Sequence, residues 1–288
     1  MKTTTLALLA PFLAGAPAFA ETITLAPVAD NTLYEPNFKG EASNGSGPHV
    51  YAGATRDGSL RRALLRFDFS EIPAGSTITG VSLQLVCTRQ IVGSPNMTLH
   101  SVLSSWGEAA SNAGEPGGAG TAPAPGDATW TFRFFQTDAT WANPGGDFDP
   151  AVLAQTTVSL TGPYVWSGPA LVSAVQSWVD GNAEHHGFML RGDEATTFNA
   201  KRFGSRENPI PAERPALTIT FTPPPSPLCP GDADGNDSVN FADITAVLAN
   251  FLTDYSPSLN GPGDANHDGV VNFADVTAVL SNFNIPCT

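Results

Sequence analysis

Between Thr22 and Thr222 the chain alternates apolar and polar residues in short runs. Ile23 and Leu25 open the pattern, and Leu65, Phe67 and Phe69 alternate with Arg66 and Asp68. Met97, Leu99 and Ser101 follow, then Val158 with Leu160, Phe188 with Leu190, and finally Leu217, Ile219 and Phe221 among threonines. Successive side chains on a strand face opposite ways, so each run puts its apolar set on one side of a sheet. The runs are short, rich in β-branched and aromatic residues, and punctuated by Gly, Pro, Asn and Asp. That pattern predicts a mainly β fold, an antiparallel, jelly-roll-like β-sandwich. One segment breaks the rhythm: Leu171, Val172, Val175, Trp178 and Val179 recur at helical spacing and predict a single short helix.

Two stretches carry no periodicity. Gly114 to Gly126 is almost wholly Gly, Ala and Pro and has too little apolar surface to become a core element. The sequence Asp-Ala-Thr-Trp then occurs twice, ending at Trp130 and Trp141. A proline-rich run at residues 223–228 favours extended polyproline geometry and reads as a semi-rigid linker. At the other end, Lys2, the apolar Leu6–Ala16 and Ala18-Phe19-Ala20 predict a secretory signal peptide over residues 1–20. The apolar run is too short to span a bilayer. These boundaries divide the chain into signal peptide 1–20, β-sandwich 21–222, linker 223–228 and a small all-α module 229–288.

Charge separates the two modules. The formal net charge is −14, and residues 215–288 contain eight Asp and no Lys or Arg. Duplex nucleic acid, which needs clustered cations, is excluded as an expected partner, and no membrane insertion is expected. The acidic segment is also repeated. Gly231 to Phe251 and Gly263 to Phe283 share fourteen identities in twenty-one positions. Counting from the first Asp of each copy, oxygen-bearing side chains fall at positions 1, 3, 5, 9 and 12. They are Asp232, Asp234, Asn236, Asn240 and Asp243, then Asp264, Asn266, Asp268, Asn272 and Asp275. Position 7, Ser238 or Val270, contributes a backbone carbonyl in this spacing. A hard dication takes six to eight oxygens, which a single turning loop presents at near-alternate positions. Two calcium ions are therefore expected. Position 6 is Gly269 in the second loop and Asp237 in the first, where a positive φ is required; the first loop is expected to be the weaker. Phe241, Ile244, Val247, Leu248 and Phe251, and their counterparts from Phe273, predict one amphipathic helix after each loop.

Both modules resemble known families. Arg62–Gly75, Ser104–Glu108 (SSWGE), Ala128–Asp149 (ATW…PGGDFD), and the Gly187–Phe221 motifs with FGSRE resemble DNRLRE-family β-sandwiches, some of which are classed as carbohydrate-binding. The loop-then-helix repeat over Pro230–Phe283, with Asp at position 12, resembles type I dockerins. The first resemblance implies polysaccharide binding, with uronate-containing chains as candidates. The second implies a cohesin-like receptor. At the positions that carry cohesin contact in dockerins stand Phe241-Ala242 and Phe273-Ala274, and the two phenylalanines are expected to pack inside the module.

Cys229 and Cys287 bracket the acidic module and are expected to form a disulfide, with Cys87 a buried thiol; the alternative pairs Cys87 with one of the other two. Trp106, Trp141, Arg61, Lys201 and Arg206 are candidate glycan contacts, since sugar faces stack on aromatic rings and uronates attract cations. No catalytic constellation is recognised. Asp147, Asp149, Asp193, Glu194, Glu207 and His185-His186 all read as turn-forming, ion-paired or loop residues. The expected function is that of a secreted, extracellular or cell-surface-associated, non-catalytic polysaccharide-binding protein attached through calcium-dependent contacts. The alternatives are an adhesive protein that binds no sugar and a polysaccharide-degrading enzyme component.

Overall fold

The computed structural model describes residues 20–36, 40–224, 229–256, 261–285 and 287. The signal peptide up to residue 19 and the linker residues 225–228 lie outside the described residues. Two compact units are present, Ala20–Pro223 and a C-terminal unit from Pro224 to Thr288.

The first unit is mainly antiparallel β. Its strands are β1 (Glu21–Leu25), β2 (Ala29–Tyr34), β3 (His49–Ala54), β4 (Leu60–Arg66), β5 (Thr77–Gln90), β6 (Asn96–Ser101), β7 (Ala154–Thr157), β8 (Gly162–Ser167), β9 (Phe188–Arg191), β10 (Lys201–Gly204) and β11 (Ala216–Thr222). Nine of them form one hydrogen-bonded path, β1-β11-β5-β10-β3-β4-β9-β6-β7, with β2 added on β4 and β8 on β5. The path curls strongly into a half-barrel. Its long spine is β5, which pairs with β8, β10 and β11 along its length.

Alternation places one face of these strands in a common core. Ala63 and Leu65 of β4 lie in it with Leu83 and Leu85 of β5, Phe188 and Leu190 of β9, and Leu217 and Ile219 of β11. Leu64, between the first pair, points to a second cluster with Leu33, Trp106, Trp130, Trp141 and Met189. The irregular segments thus cover the other face of the sheet, which is why every residue of β2 and β3 is buried. Helix α1 (Pro169–Val179) starts at a proline, a residue whose fixed φ suits a first helical turn, and buries Leu171 and Val175 in the main core. Leu65 closes its run on β4, whereas Phe67 and Phe69 lie beyond the strand end. Val158 is buried and Leu160 exposed, both past the end of β7.

In the C-terminal unit, helices α2 (Phe241–Ala249) and α3 (Phe273–Ser281) follow the two acidic loops. Ala233, Val239, Val247, Ala265, Val271 and Val279 form its core. The repeats grip each other reciprocally. Gly231 N donates to Ala265 O and Gly263 N to Ala233 O, each at 2.9 Å. Past the helices, Leu252 N donates to Val271 O (2.8 Å) and Asn284 N to Val239 O (2.9 Å). Cys229 and Cys287 form a disulfide, and Cys87 is a buried free thiol.

That disulfide closes a loop of 58 residues, so on the chain-entropy model it stabilises the unit by about 4 kcal/mol. All five tryptophans lie between residues 106 and 178, in the β unit. The double substitution Cys229→Ser, Cys287→Ser is expected to lower the unfolding midpoint of the helical signal in far-ultraviolet circular dichroism. The tryptophan fluorescence transition is expected to stay where it is, provided calcium is kept constant.

Candidate functional site

The acidic loops are shaped by their own carboxylates. In the first, Asp232 Oδ1 accepts the N–H groups of Gly235 (2.9 Å) and Asn236 (3.2 Å), and its Oδ2 accepts that of Asp237 (2.8 Å). Asp243 is fully buried; Oδ1 accepts from Ala233 N (2.8 Å) and Asp234 N (3.1 Å), and Oδ2 from Asn240 N (2.7 Å). The second loop repeats the scheme. Asp264 accepts from Asp268 N and Gly269 N, and buried Asp275 from Asn266 N and Asn272 N. Asn240 and Asn272 cap the helices through their side chains, and Asp243 and Asp275 complete the capping boxes. The residues at positions 9 and 12 therefore start a helix and shape a loop at once.

Asp232, Asp234 and Asp243 each bring an oxygen within 4.8 Å of the others. Desolvation, followed by the charge of Asp243, raises the Asp234 pKa; desolvation does the same to Asp264, with Asp275 adding to it. Crowded carboxylates held by backbone donors, with no nitrogen or sulfur among the expected ligands, are a donor set suited to a hard dication. Positions 3 and 5 are an Asp and an Asn in each loop, in exchanged order, and the amide donates to the carboxylate at 2.9 Å in both. Each loop also takes two left-handed backbone residues: Gly235 and Asp237 in the first, His267 and Gly269 in the second. One of each pair is not glycine, Asp237 at φ 61° and His267 at φ 58°. Strain at position 6 is thus matched by strain at position 4 of the other loop and does not by itself rank the two.

Phe241 and Phe273 do not enter the core. They are 74 % and 75 % exposed, and Leu248, Leu280 and Leu252 are exposed beside them in sequence. The cause is geometric: each phenylalanine is the first residue of its helix, while Val247 and Val279 occupy the buried stripe. The rings instead stand edge-on to the other repeat, Phe241 against Phe283 and Phe251 against Phe273, both at 5.1 Å between centroids.

The β unit has a second feature, a basic cavity of about 200 Å³ lined by Tyr51, Arg61, Arg89, Pro116, Lys201 and Arg202, among others. Strand pairing creates it: Arg202 on β10 sits in register with Tyr51 on β3 and with Arg89 on β5. Arg61 donates to Gly118 O (3.2 Å) and Leu60 O (2.7 Å), and its guanidinium lies over the Tyr34 ring. Lys201 is fully buried and donates to Val92 O (3.2 Å) and Gly93 O (2.9 Å); burial lowers its pKa. Arg202 pairs with Glu115 at 2.6 Å. The exposed Arg89 side chain makes no hydrogen bond or ion pair among the described residues.

Of the candidate glycan contacts, Arg61 and Lys201 therefore meet in one cavity. Arg206 is elsewhere, paired with Glu108 (2.8 Å) and Glu207 (2.7 Å). Trp106 and Trp141 are 1 % and 4 % exposed, and their indole N–H groups donate to His186 O and Thr129 O, so neither offers a ring face to a sugar. Sequence reasoning missed Tyr51 and Arg89; the only signal for Arg89 was its place two residues beyond Cys87, on the same strand. The carboxylates considered for catalysis are engaged locally. Asp147 accepts the N–H groups of Ala142 and Asn143, Asp149 that of Ala151, Asp193 that of Ala195, and Glu194 grips Arg62 (2.7 Å) and Arg191 (2.5 Å). The His185 ring packs on Phe69 and Trp178, and its nitrogens bond Phe67 O and Gly187 N.

Replacing Asp243 by Ala removes the acceptor for three backbone N–H groups at once. With calcium saturating, Asp243→Ala is expected to destabilise the C-terminal unit by about 3 kcal/mol, read from urea unfolding of the helical signal. Asp275→Ala is expected to destabilise it as well, because Asp275 accepts the N–H groups of Asn266 and Asn272 in the second loop.

No family model matches the sequence, and no curated protein matches it.

Proposed function

We propose that the chain is a secreted, non-catalytic protein that binds an acidic, uronate-type polysaccharide through its β unit. In this reading the curled sheet is a jelly-roll-like sandwich of DNRLRE type, and the C-terminal unit is a dockerin-like module holding two calcium ions. The observation that carries the reading is the cavity flanked by Arg61, Arg89, Lys201 and Arg202 in a chain of net charge −14. Arg61 and Lys201 are hydrogen-bonded to neutral carbonyls, and among the described residues Arg202 alone of the four has a carboxylate partner, so the cavity retains positive charge. Tyr51 is itself buried and donates its hydroxyl to Pro116 O, so the exposed Arg89 is the group the cavity presents. A carboxylated sugar is the ligand class that an exposed guanidinium favours.

The C-terminal unit supports attachment. Its duplicated loops carry oxygen ligands alone, and its duplicated helices expose Phe241 and Phe273 on equivalent positions. An exposed pair of aromatic residues repeated by internal symmetry is a docking face, and a cohesin-like receptor is the proposed partner. Secretion is consistent with the disulfide. Among the described residues no helix is long and apolar enough to cross a membrane.

A second reading, an adhesive protein without sugar binding, is favoured by one specific observation: Trp106 and Trp141 are buried where a sugar platform would need them exposed. Titration calorimetry of the full chain with uronate polymers and with neutral glycans separates the two. Uronate binding that weakens as salt rises, and that weakens about 10-fold in Arg89→Ala, is the expected result. Silence toward acidic and neutral glycans alike supports the adhesive reading.

A further inference from the structure

Three carboxylates from distant parts of the chain meet in the β unit, away from the basic cavity's residues. Asp30 is the second residue of β2, Glu108 comes from the SSWGE segment after β6, and Glu207 from the FGSRE turn after β10. Each offers an oxygen, and these oxygens all lie within 4.8 Å of one another. Two oxygens bound to one calcium ion at about 2.4 Å are at most about 4.8 Å apart, so the spacing fits a shared ion.

Two oxygens of this cluster are buried without a hydrogen bond. Asp30 is fully buried; its Oδ2 accepts the backbone N–H of Arg206 at 2.7 Å, but its Oδ1 is buried with no hydrogen-bond partner. Glu207 Oε2 is likewise buried and without a partner. A buried carboxylate oxygen with nothing to bond costs several kcal/mol unless a proton or a cation meets it. The charge is incomplete too. Arg206 Nε serves both Glu108 Oε1 and Glu207 Oε1, so one guanidinium faces three carboxylates. When all are ionised, two negative charges remain, which one divalent ion cancels. Burial, with the Glu207 charge adding to it, pushes the Glu108 carboxyl up to about 7 and raises Asp30, and burial raises Glu207. The Arg206 and Glu207 side chains are 40 % and 24 % exposed, which gives an ion a path from solvent.

We propose that Asp30, Glu108 and Glu207 form a calcium site in the β unit, additional to the two C-terminal loops. The bound ion ties β2 to the segments that follow β6 and β10, beside the contacts that Arg206 makes there with Asp30, Glu108 and Glu207.

Terbium luminescence tests this on the full chain, because terbium occupies calcium sites and is sensitised by tryptophan, which only the β unit contains. Tryptophan excitation of the wild type is expected to give a saturable terbium signal that calcium displaces. The variant Glu108→Gln, Glu207→Gln is expected to lose affinity about 10-fold or more. The variant Asp232→Asn, Asp264→Asn, altered only in the C-terminal loops, is expected to keep the signal. No signal in the wild type, a signal indifferent to the glutamine substitutions, or one abolished by the loop substitutions overturns the proposal. If the glutamine variant does not fold, the loop variant decides. Calcium is expected to raise the midpoint of its tryptophan-reported thermal transition above that in chelator, and an unchanged midpoint overturns the site.

Discussion

A carboxylate accepting two or more backbone N–H groups is the interaction on which both units depend. The C-terminal loops have little apolar material, and they take their shape from Asp232, Asp243, Asp264 and Asp275 drawing main-chain donors inward. The same device holds the irregular part of the β unit. Buried Asp127 accepts Ala109 N with one oxygen (2.7 Å) and Ala124 N with the other (2.8 Å), closing the Gly-Ala-Pro stretch against the SSWGE segment. Asp147 does so for Ala142 and Asn143. Charge-assisted bonds are stronger than neutral ones, and a Gly- and Pro-rich chain has few other means to fix its path. A chain this acidic thus uses much of its charge as internal scaffolding.

That dependence explains which parts of the fold the sequence discloses. Strands β1, β6, β9 and β11 are legible because the residues they turn to the main core are apolar and alternate: Ile23 and Leu25, Met97 and Leu99, Phe188 and Leu190, and Leu217, Ile219 and Phe221. Strand β2, Ala-Asp-Asn-Thr-Leu-Tyr, is not, because its Asp30, Asn31 and Thr32 are wholly buried. Asn31 is the reason such a strand is stable: its Oδ1 accepts from Ser43 Oγ (3.0 Å) and Asn44 N (3.2 Å), and its amide donates to Ala128 O (3.3 Å). Strand β10, Lys-Arg-Phe-Gly, hides a fully buried lysine for the same reason. Periodicity detects burial by hydrophobicity and has no access to burial by hydrogen bonding.

The two candidate sites differ in legibility for a related reason. Every expected ligand of a C-terminal loop lies within twelve consecutive residues, so spacing alone outlines the set. The cavity gathers Tyr51, Arg89 and Arg202 from strands that are neighbours only through pairing, and the carboxylate cluster spans residues 30 to 207. Arg61 and Lys201 could be named from sequence as cations; that they share a cavity, and that Arg206 does not join them, follows from topology alone. Phe241 and Phe273 show the opposite failure. Helical spacing put them on an apolar stripe, yet the buried positions of a nine-residue helix are few, and Asp243 with Val247, or Asp275 with Val279, fill them.

Strand β10 and the turn after it show how the β unit keeps opposite charges apart over a short stretch of chain. Arg202 turns toward Tyr51 and Glu115, on the side of the basic cavity, while Arg206, four residues later and past the strand end, turns to Glu108 and Glu207. Between them, Ser205 fastens the turn by donating its hydroxyl to Gly47 O (2.7 Å) and accepting the N–H of Glu207 (3.1 Å). Lys201, Arg202 and Arg206 therefore cannot exchange roles without breaking the pairing of β10 with β3 and β5. A rigid strand that fixes two cations at one place and a third at another holds both charge patterns without relying on surface ion pairs, which are individually weak. The cavity cation that makes no hydrogen bond or ion pair among the described residues, Arg89, comes from β5 rather than β10 and stays exposed.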